Sequence, residues 1–137
     1  MVSSSLTGSA FVMSISPLKL LLTAAFLVTS FAAHAAQPFT AKSFQDAQAA
    51  GKSILVDVTA SWCPVCKVQR PIVEGLEKSN PRLAVFEVDF DKAKDVLKQL
   101  GVQSQSTLIV FKGAKEVGRS TGATDPAAIT ALVQKGL

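Results

Sequence analysis

"ILVDVTASWCPVCKVQRP" occupies residues 54–71 and contains both cysteines of the chain. Its first part, with Ser53 and running to Ala60, is short, rich in β-branched residues and almost wholly apolar. That pattern predicts a central strand buried on both faces. One residue breaks it, Asp57. The stretch from Cys63 to Asn80 predicts a helix. Pro64 suits the first turn, where no amide donor is needed. Pro71 falls mid-helix and is expected to kink it. Val68, Ile72 and Leu76 recur every four residues and are expected on the buried face. Asn80-Pro81 ends the helix.

Working outward, residues 39–52 predict a helix capped by Thr40 or Ser43, with Phe44 and Ala47 on one face. Residues 83–91 alternate as a strand. Residues 92–101 form an amphipathic helix with Val96, Leu97 and Leu100 inward, closed by Gly101. Residues 106–112 and 116–121 form a hairpin around a tight turn. Asp125 is a natural N-cap and Pro126 the first residue of a last helix carrying Ile129, Leu132 and Val133. Strands alternating with helices imply parallel pairing, and the hairpin adds an antiparallel edge. The expected class is α/β.

The chain has 137 residues, enough for one domain. Its start has a different character. Lys19 precedes the uncharged run "LLLTAAFLVTSFAA" at 20–33, followed by Ala33-His34-Ala35. A basic residue, a short apolar core and a small-x-small ending describe a secretory signal. We therefore expect residues 1–35 to be a signal peptide and 36–137 the domain, with Met13 an alternative start. An uncleaved membrane anchor is the other possibility, since the uncharged stretch from 20 to 37 is at the lower edge of a span. Export would place the protein in the periplasm or outside the cell, where disulfides persist. Beyond residue 35 the chain keeps 13 basic and 10 acidic residues, for a net charge of +3. They are interleaved, with no basic run, so nucleic-acid binding has no support. The single histidine, His34, leaves with the signal.

Two cysteines at this spacing have three uses. A structural disulfide closing so small a loop contributes only about 2 kcal/mol, against about 3 for a fifteen-residue loop. A structural zinc site needs four ligands, and two cysteines without histidine would require a second subunit. A redox couple fits best, because a strand, then CxxC, then a helix is the arrangement that tunes a thiol. Cys63 at the helix N-terminus would be held as a thiolate, and Cys66, one turn inward, would be buried and protonated. Cys63 would attack a substrate disulfide and Cys66 would resolve the mixed disulfide. Hydrolysis of the Ser-His type lacks a base.

The residues Asp57, Trp62, Cys63, Cys66, Lys67, Pro71 and Thr107-Leu108, in this order and spacing, resemble the thioredoxin family. The resemblance covers nearly all of 39–137 and is similar in kind to exported members and to the C-terminal domains of periplasmic thiol reductases. It implies a thioredoxin fold, a mixed four- to five-stranded sheet flanked by helices. It implies a protein-disulfide oxidoreductase with Cys63 attacking, Cys66 resolving and Asp57 accepting the Cys66 proton. A lone acid in a buried strand agrees with that, having a raised pKa; a solvated strand-end aspartate is the plainer alternative. Trp62 would offer a flat surface to substrate or pack in the core. Trp62, Pro64, Val65, Ser106 and Thr107 are the expected substrate-binding residues, and Lys67 a solvated helix residue. No cofactor beyond the Cys63–Cys66 disulfide and no metal site are expected. Expected partners are protein thiols and disulfides and a membrane-bound thiol redox protein, with the chain itself a monomer.

Three positions depart from the family. Members carry a cis-proline immediately before the threonine of the third strand, where this chain has Ser106. A cis bond there would cost about 3–4 kcal/mol, so the Gln105–Ser106 bond is expected to be trans. The Ser106 hydroxyl is expected near the sulfurs, with the Cys63 thiolate as its acceptor. Val65 cannot support a thiolate as a polar residue would, which points to an intermediate potential. Glu87 stands where thioredoxin has a lysine near the buried acid; it is either an exposed strand charge or a neighbour that raises Asp57. The rival function is a thioredoxin-fold binding module without turnover, using the groove around Trp62, Val65 and Ser106, or holding a metal through the CxxC as a dimer.

Overall fold

The computed structural model describes residues 35–137; the expected signal at 1–35 lies almost wholly outside them. The elements are β1 (Gln37–Pro38), α1 (Ala41–Ala49), β2 (Ser53–Thr59), α2 (Pro64–Ser79), β3 (Leu83–Asp89), α3 (Lys94–Leu100), β4 (Thr107–Lys112), β5 (Lys115–Thr121) and α4 (Pro126–Gln134). One sheet has the order β1-β3-β2-β4-β5. β2 pairs parallel with β3 and antiparallel with β4, and β4 pairs antiparallel with β5. The two-residue β1, parallel to β3, is an element the sequence pattern does not announce, because a strand that short has no periodicity to read.

β2 is the central strand expected, with six of its seven residues buried. Successive side chains point to opposite faces, and the packing follows. Ile54, Val56 and Val58 join Phe86, Ile109, Phe111 and, from the helices, Phe44 and Leu97 in one core. Leu55 joins Leu83, Val85, Leu108 and Val110 against Val73 of α2 and Ile129, Leu132 and Val133 of α4 in the other. The aromatic rings of the first core stack edge to face: Phe44 lies 5.8 Å from Phe86 and 5.3 Å from Phe111 between centroids. Such pairs stabilise beyond the area they bury.

The helix ends follow their expected chemistry. The Thr40 hydroxyl accepts from the Ser43 amide, and Asp125 accepts from the amides of Ala127 and Ala128 with Pro126 at the first position. The face of α2 differs from expectation. Its buried residues are Cys66, Gln69, Val73 and Glu77, while Ile72 and Leu76 flank the core half-buried and Val68 is 48% exposed. Two polar residues take the inward positions, so at 3.6 residues per turn apolar spacing alone points about 100° away from the true face. α2 continues unbroken through Pro71 to Ser79.

At the far end of the sheet from the cysteines the chain closes on itself. The Ser53 hydroxyl donates to the Gly136 carbonyl at 2.6 Å. A side chain at Gly136 would meet Val110 Cγ1 at 2.6 Å and the Phe111 carbonyl at 3.1 Å. Among the described residues no helix is long and apolar enough to cross a membrane.

Candidate active site

Parallel pairing of β2 with β3 brings the chain off the end of β2 at Thr59 and straight into the cysteine turn. Cys63 is the N-cap of α2, in extended backbone, with Pro64 at the first helical position. Its Sγ accepts from the Cys66 amide at 3.1 Å, one of the orphan donors at a helix start. The positive end of a helix of 16 residues therefore points at this sulfur. Cys63 and Cys66 form a disulfide with Cα atoms 5.3 Å apart. Both are buried, at 1% and 3% exposure, packed with Ala60 and against the half-buried Val65 and Phe90. Cys63 is thus more enclosed in the oxidised form than an attacking thiol would be.

Asp57 lies two residues before the end of β2, on the same face of the sheet as Leu55. Burial, then the nearby Glu87 charge, push its carboxyl up to about 6, against the pull of Arg70. Glu87 is directly opposite in the β2–β3 register and itself exposed, so both readings of that position hold. Oδ1 of Asp57 is buried without a hydrogen-bond partner. A cavity of about 400 Å³ is lined by Ala60, Ser61, Cys66, Lys67 and Arg70. A larger one, about 830 Å³, opens at the opposite end of the sheet around Lys52, Arg82 and Lys112. It holds no group able to exchange electrons, so size does not mark the site here.

Trp62 is 54% exposed and its indole N–H donates to Asp91 Oδ2 at 2.8 Å. That excludes core packing. Asp91, on the turn after β3, is a partner the sequence did not mark.

Ser106 is buried beside the start of β4, with φ +56°. Among the described residues no peptide bond is cis. In the oxidised form its hydroxyl donates to the Gln105 carbonyl at 2.6 Å, while the sulfur expected as its acceptor is tied up in the disulfide. Thr107 is buried, pairs with Val58 at the cysteine end of the sheet, and donates its hydroxyl to the Ser104 carbonyl at 2.9 Å. The register thus carries Ser106 and Thr107 to the end of the sheet that holds the sulfurs. Also missed by sequence reasoning is Gln69, fully buried on α2, which donates to the carbonyls of Ser106 and Ala123. Its only signal is a position three residues after Cys66, on the same helix face. Among the described residues no group of three or more His, Cys, Asp or Glu is placed to hold a metal ion.

The Thioredoxin family model matches residues 35–135. The chain belongs to the thioredoxin family. It is 41% identical over 92 residues to thioredoxin H-type of Fagopyrum esculentum, covering 67% of this chain and 78% of that one. To thioredoxin of Chlamydia muridarum it is 39% identical over 93 residues, covering 68% and 90%. Among solved structures it is similar to Trxlp of Edwardsiella tarda, at 42% identity and TM-score 0.69, covering 72% of this chain and 98% of that one. Fold and family expectations thus agree with the strand order and the disulfide described above. This thioredoxin-family protein is by kind a protein-disulfide oxidoreductase, acting on protein thiols and disulfides.

Proposed function

We propose that this thioredoxin-family chain exchanges its Cys63–Cys66 couple with protein substrates in the cell envelope. The observation that carries the assignment of roles is the position of Cys63 as N-cap of α2, with its sulfur accepting from the Cys66 amide. A sulfur there is stabilised as a thiolate. In the reductive direction, Cys63 thiolate attacks one sulfur of a substrate disulfide, a mixed disulfide forms and one substrate thiolate leaves. Cys66 gives its proton to Asp57, and the Cys66 thiolate attacks Cys63. The second substrate thiolate leaves and the internal disulfide closes, so two electrons pass to the substrate. Oxidation of a substrate dithiol is the same sequence reversed. Asp57, with its pKa near 6, is ionised and able to accept that proton at neutral pH. Trp62, Pro64 and Val65, beside the cysteines in the chain, with Ser106 and Thr107 at the same end of the sheet, form the substrate-binding region of this reading.

The envelope setting rests on the leader pattern of residues 1–35, and the domain proper is then 36–137. A membrane-bound thiol protein would recycle the couple, with the chain acting as a monomer and without further cofactor. Insulin reduction by the mature protein tests the chemistry: wild type is expected to turn over and Cys63→Ser to show no rate above background. Equal rates would remove the enzymatic role. N-terminal mass analysis of protein from an osmotic-shock fraction is expected to give a start at Ala36 or Gln37. An intact leader would remove the cleavage assignment, and absence of the protein from the cell envelope would remove the export assignment.

A further inference from the structure

Gln69 has no solvent exposure and stands on the buried face of α2, three residues beyond Cys66. Its Nε2 donates to the Ala123 carbonyl at 2.8 Å and to the Ser106 carbonyl at 3.2 Å. Both acceptors lack a proton to give, so together they fix the amide with nitrogen toward the loops and Oε1 inward. Oε1 has no hydrogen-bond partner. A buried amide oxygen without a partner carries a desolvation penalty that an apolar side chain of similar size avoids. Core packing alone therefore does not account for a glutamine here; what it does for the two loops does.

Those loops flank the open end of the β4–β5 hairpin. Ser106, before β4, holds the left-handed backbone at φ +56°, which a side chain with a Cβ adopts only under constraint. Its carbonyl accepts from the Gly122 amide at 2.9 Å as well as from Gln69. Ala123, the other acceptor, follows Gly122 after β5. The Thr107 and Thr121 hydroxyls, 2.9 Å apart, join the same two strands immediately below. From the cysteine helix, Gln69 bonds to both loops.

We infer that Gln69 is a positioning residue that holds the Ser106 loop at a fixed distance from the Cys63–Cys66 turn, so that an extended substrate chain can lie between them. This rests on the reading that the Cys63 and Ser106 face receives protein substrates. The inference separates two kinds of substrate. A protein disulfide needs the loop as well as the sulfur; a small disulfide needs only the sulfur.

The test uses Gln69→Leu and Gln69→Met, which keep the volume and remove both donors. The expected result is a rise of about tenfold in KM for insulin, with kcat, the rate with 5,5′-dithiobis(2-nitrobenzoate) and the equilibrium with glutathione all within about twofold of wild type. A parallel fall with both substrates would mean general damage to the site and would overturn the inference, as would no change with either. Amide exchange gives a readout independent of turnover. The Gly122 amide of Gln69→Leu is expected to exchange about tenfold faster than in wild type; an unchanged rate sinks the clamp even if insulin is never reduced. If neither variant folds, the wild-type side chain still reports. The Gln69 Nε2 proton signals are expected to shift when a peptide is trapped as a mixed disulfide on Cys66→Ala, and identical signals before and after trapping would overturn the inference. Failure of wild type on every disulfide, with the Gly122 result as expected, would instead remove the functional reading and leave the clamp.

Discussion

Asp57 is an acid in a strand otherwise buried and apolar, and its carboxyl is held at about 6 mainly by that burial, with Glu87 adding to it. The folded chain therefore keeps this proton to higher pH than the unfolded chain, whose aspartate titrates near 3.8. Below about pH 4 both forms are protonated and burial is free of ionisation cost. Between pH 4 and 6 the unfolded chain ionises first, so stability falls as pH rises, and above 6 the full cost is present. Asp57→Asn is expected to be more stable than wild type by about 3 kcal/mol at pH 7, with the gap closing by pH 3.5, in denaturant titrations at the two pH values. The same variant is expected to reduce insulin about tenfold more slowly and to lose the rise in rate between pH 5 and 7. Asp57 and the two cysteines were legible because each breaks a local pattern: an acid in an apolar strand, and a pair of sulfurs at a helix start. Gln69, Arg70 and Asp91 were not. The roles of Gln69 and Asp91 come from segments 29 to 54 residues away along the chain, and that of Arg70 from its charge near the Asp57 carboxyl on a different element, and no local pattern records that.

Most helices and strands were legible as elements because period, caps and breakers agreed. Thr40, Asp125, Pro126 and Gly101 mark their ends by chemistry that acts within one turn. The inward face of α2 is where that reasoning failed. Val68, Ile72 and Leu76 have the apolar spacing, yet Cys66, Gln69, Val73 and Glu77 face the sheet. A helix that presents its working sulfur at one end takes its rotation from that sulfur, and the apolar residues must fit around it. The difference is measurable. Val68→Ser is expected to change stability by no more than about 0.5 kcal/mol, whereas Val73→Ala should cost about 2 kcal/mol through the cavity left against Leu55 and Ile129. Asp125→Ala should cost about 1 kcal/mol by leaving the first amides of α4 uncapped. Thermal unfolding of the three variants checks the order.

Across the whole molecule, the sheet separates two jobs. The cysteine turn, Ser106 and Thr107 gather where β2 ends and β4 begins, while Ser53, Gly136 and the ends of β4 and α4 close the opposite edge. Gly136→Ala is expected to destabilise by about 2 kcal/mol, because its new methyl collides with Val110 and the Phe111 carbonyl. The reduction potential of that variant should match wild type, as read by equilibration with glutathione. Lys52 and Lys112, both exposed, stand on this closed edge. By strand rise over the seven residues of β2, they lie about 20 Å from the sulfurs. A cross-linker at either lysine would moor the protein to an electrode or resin with its reactive mouth turned outward, and immobilised material should exchange electrons as readily as free protein.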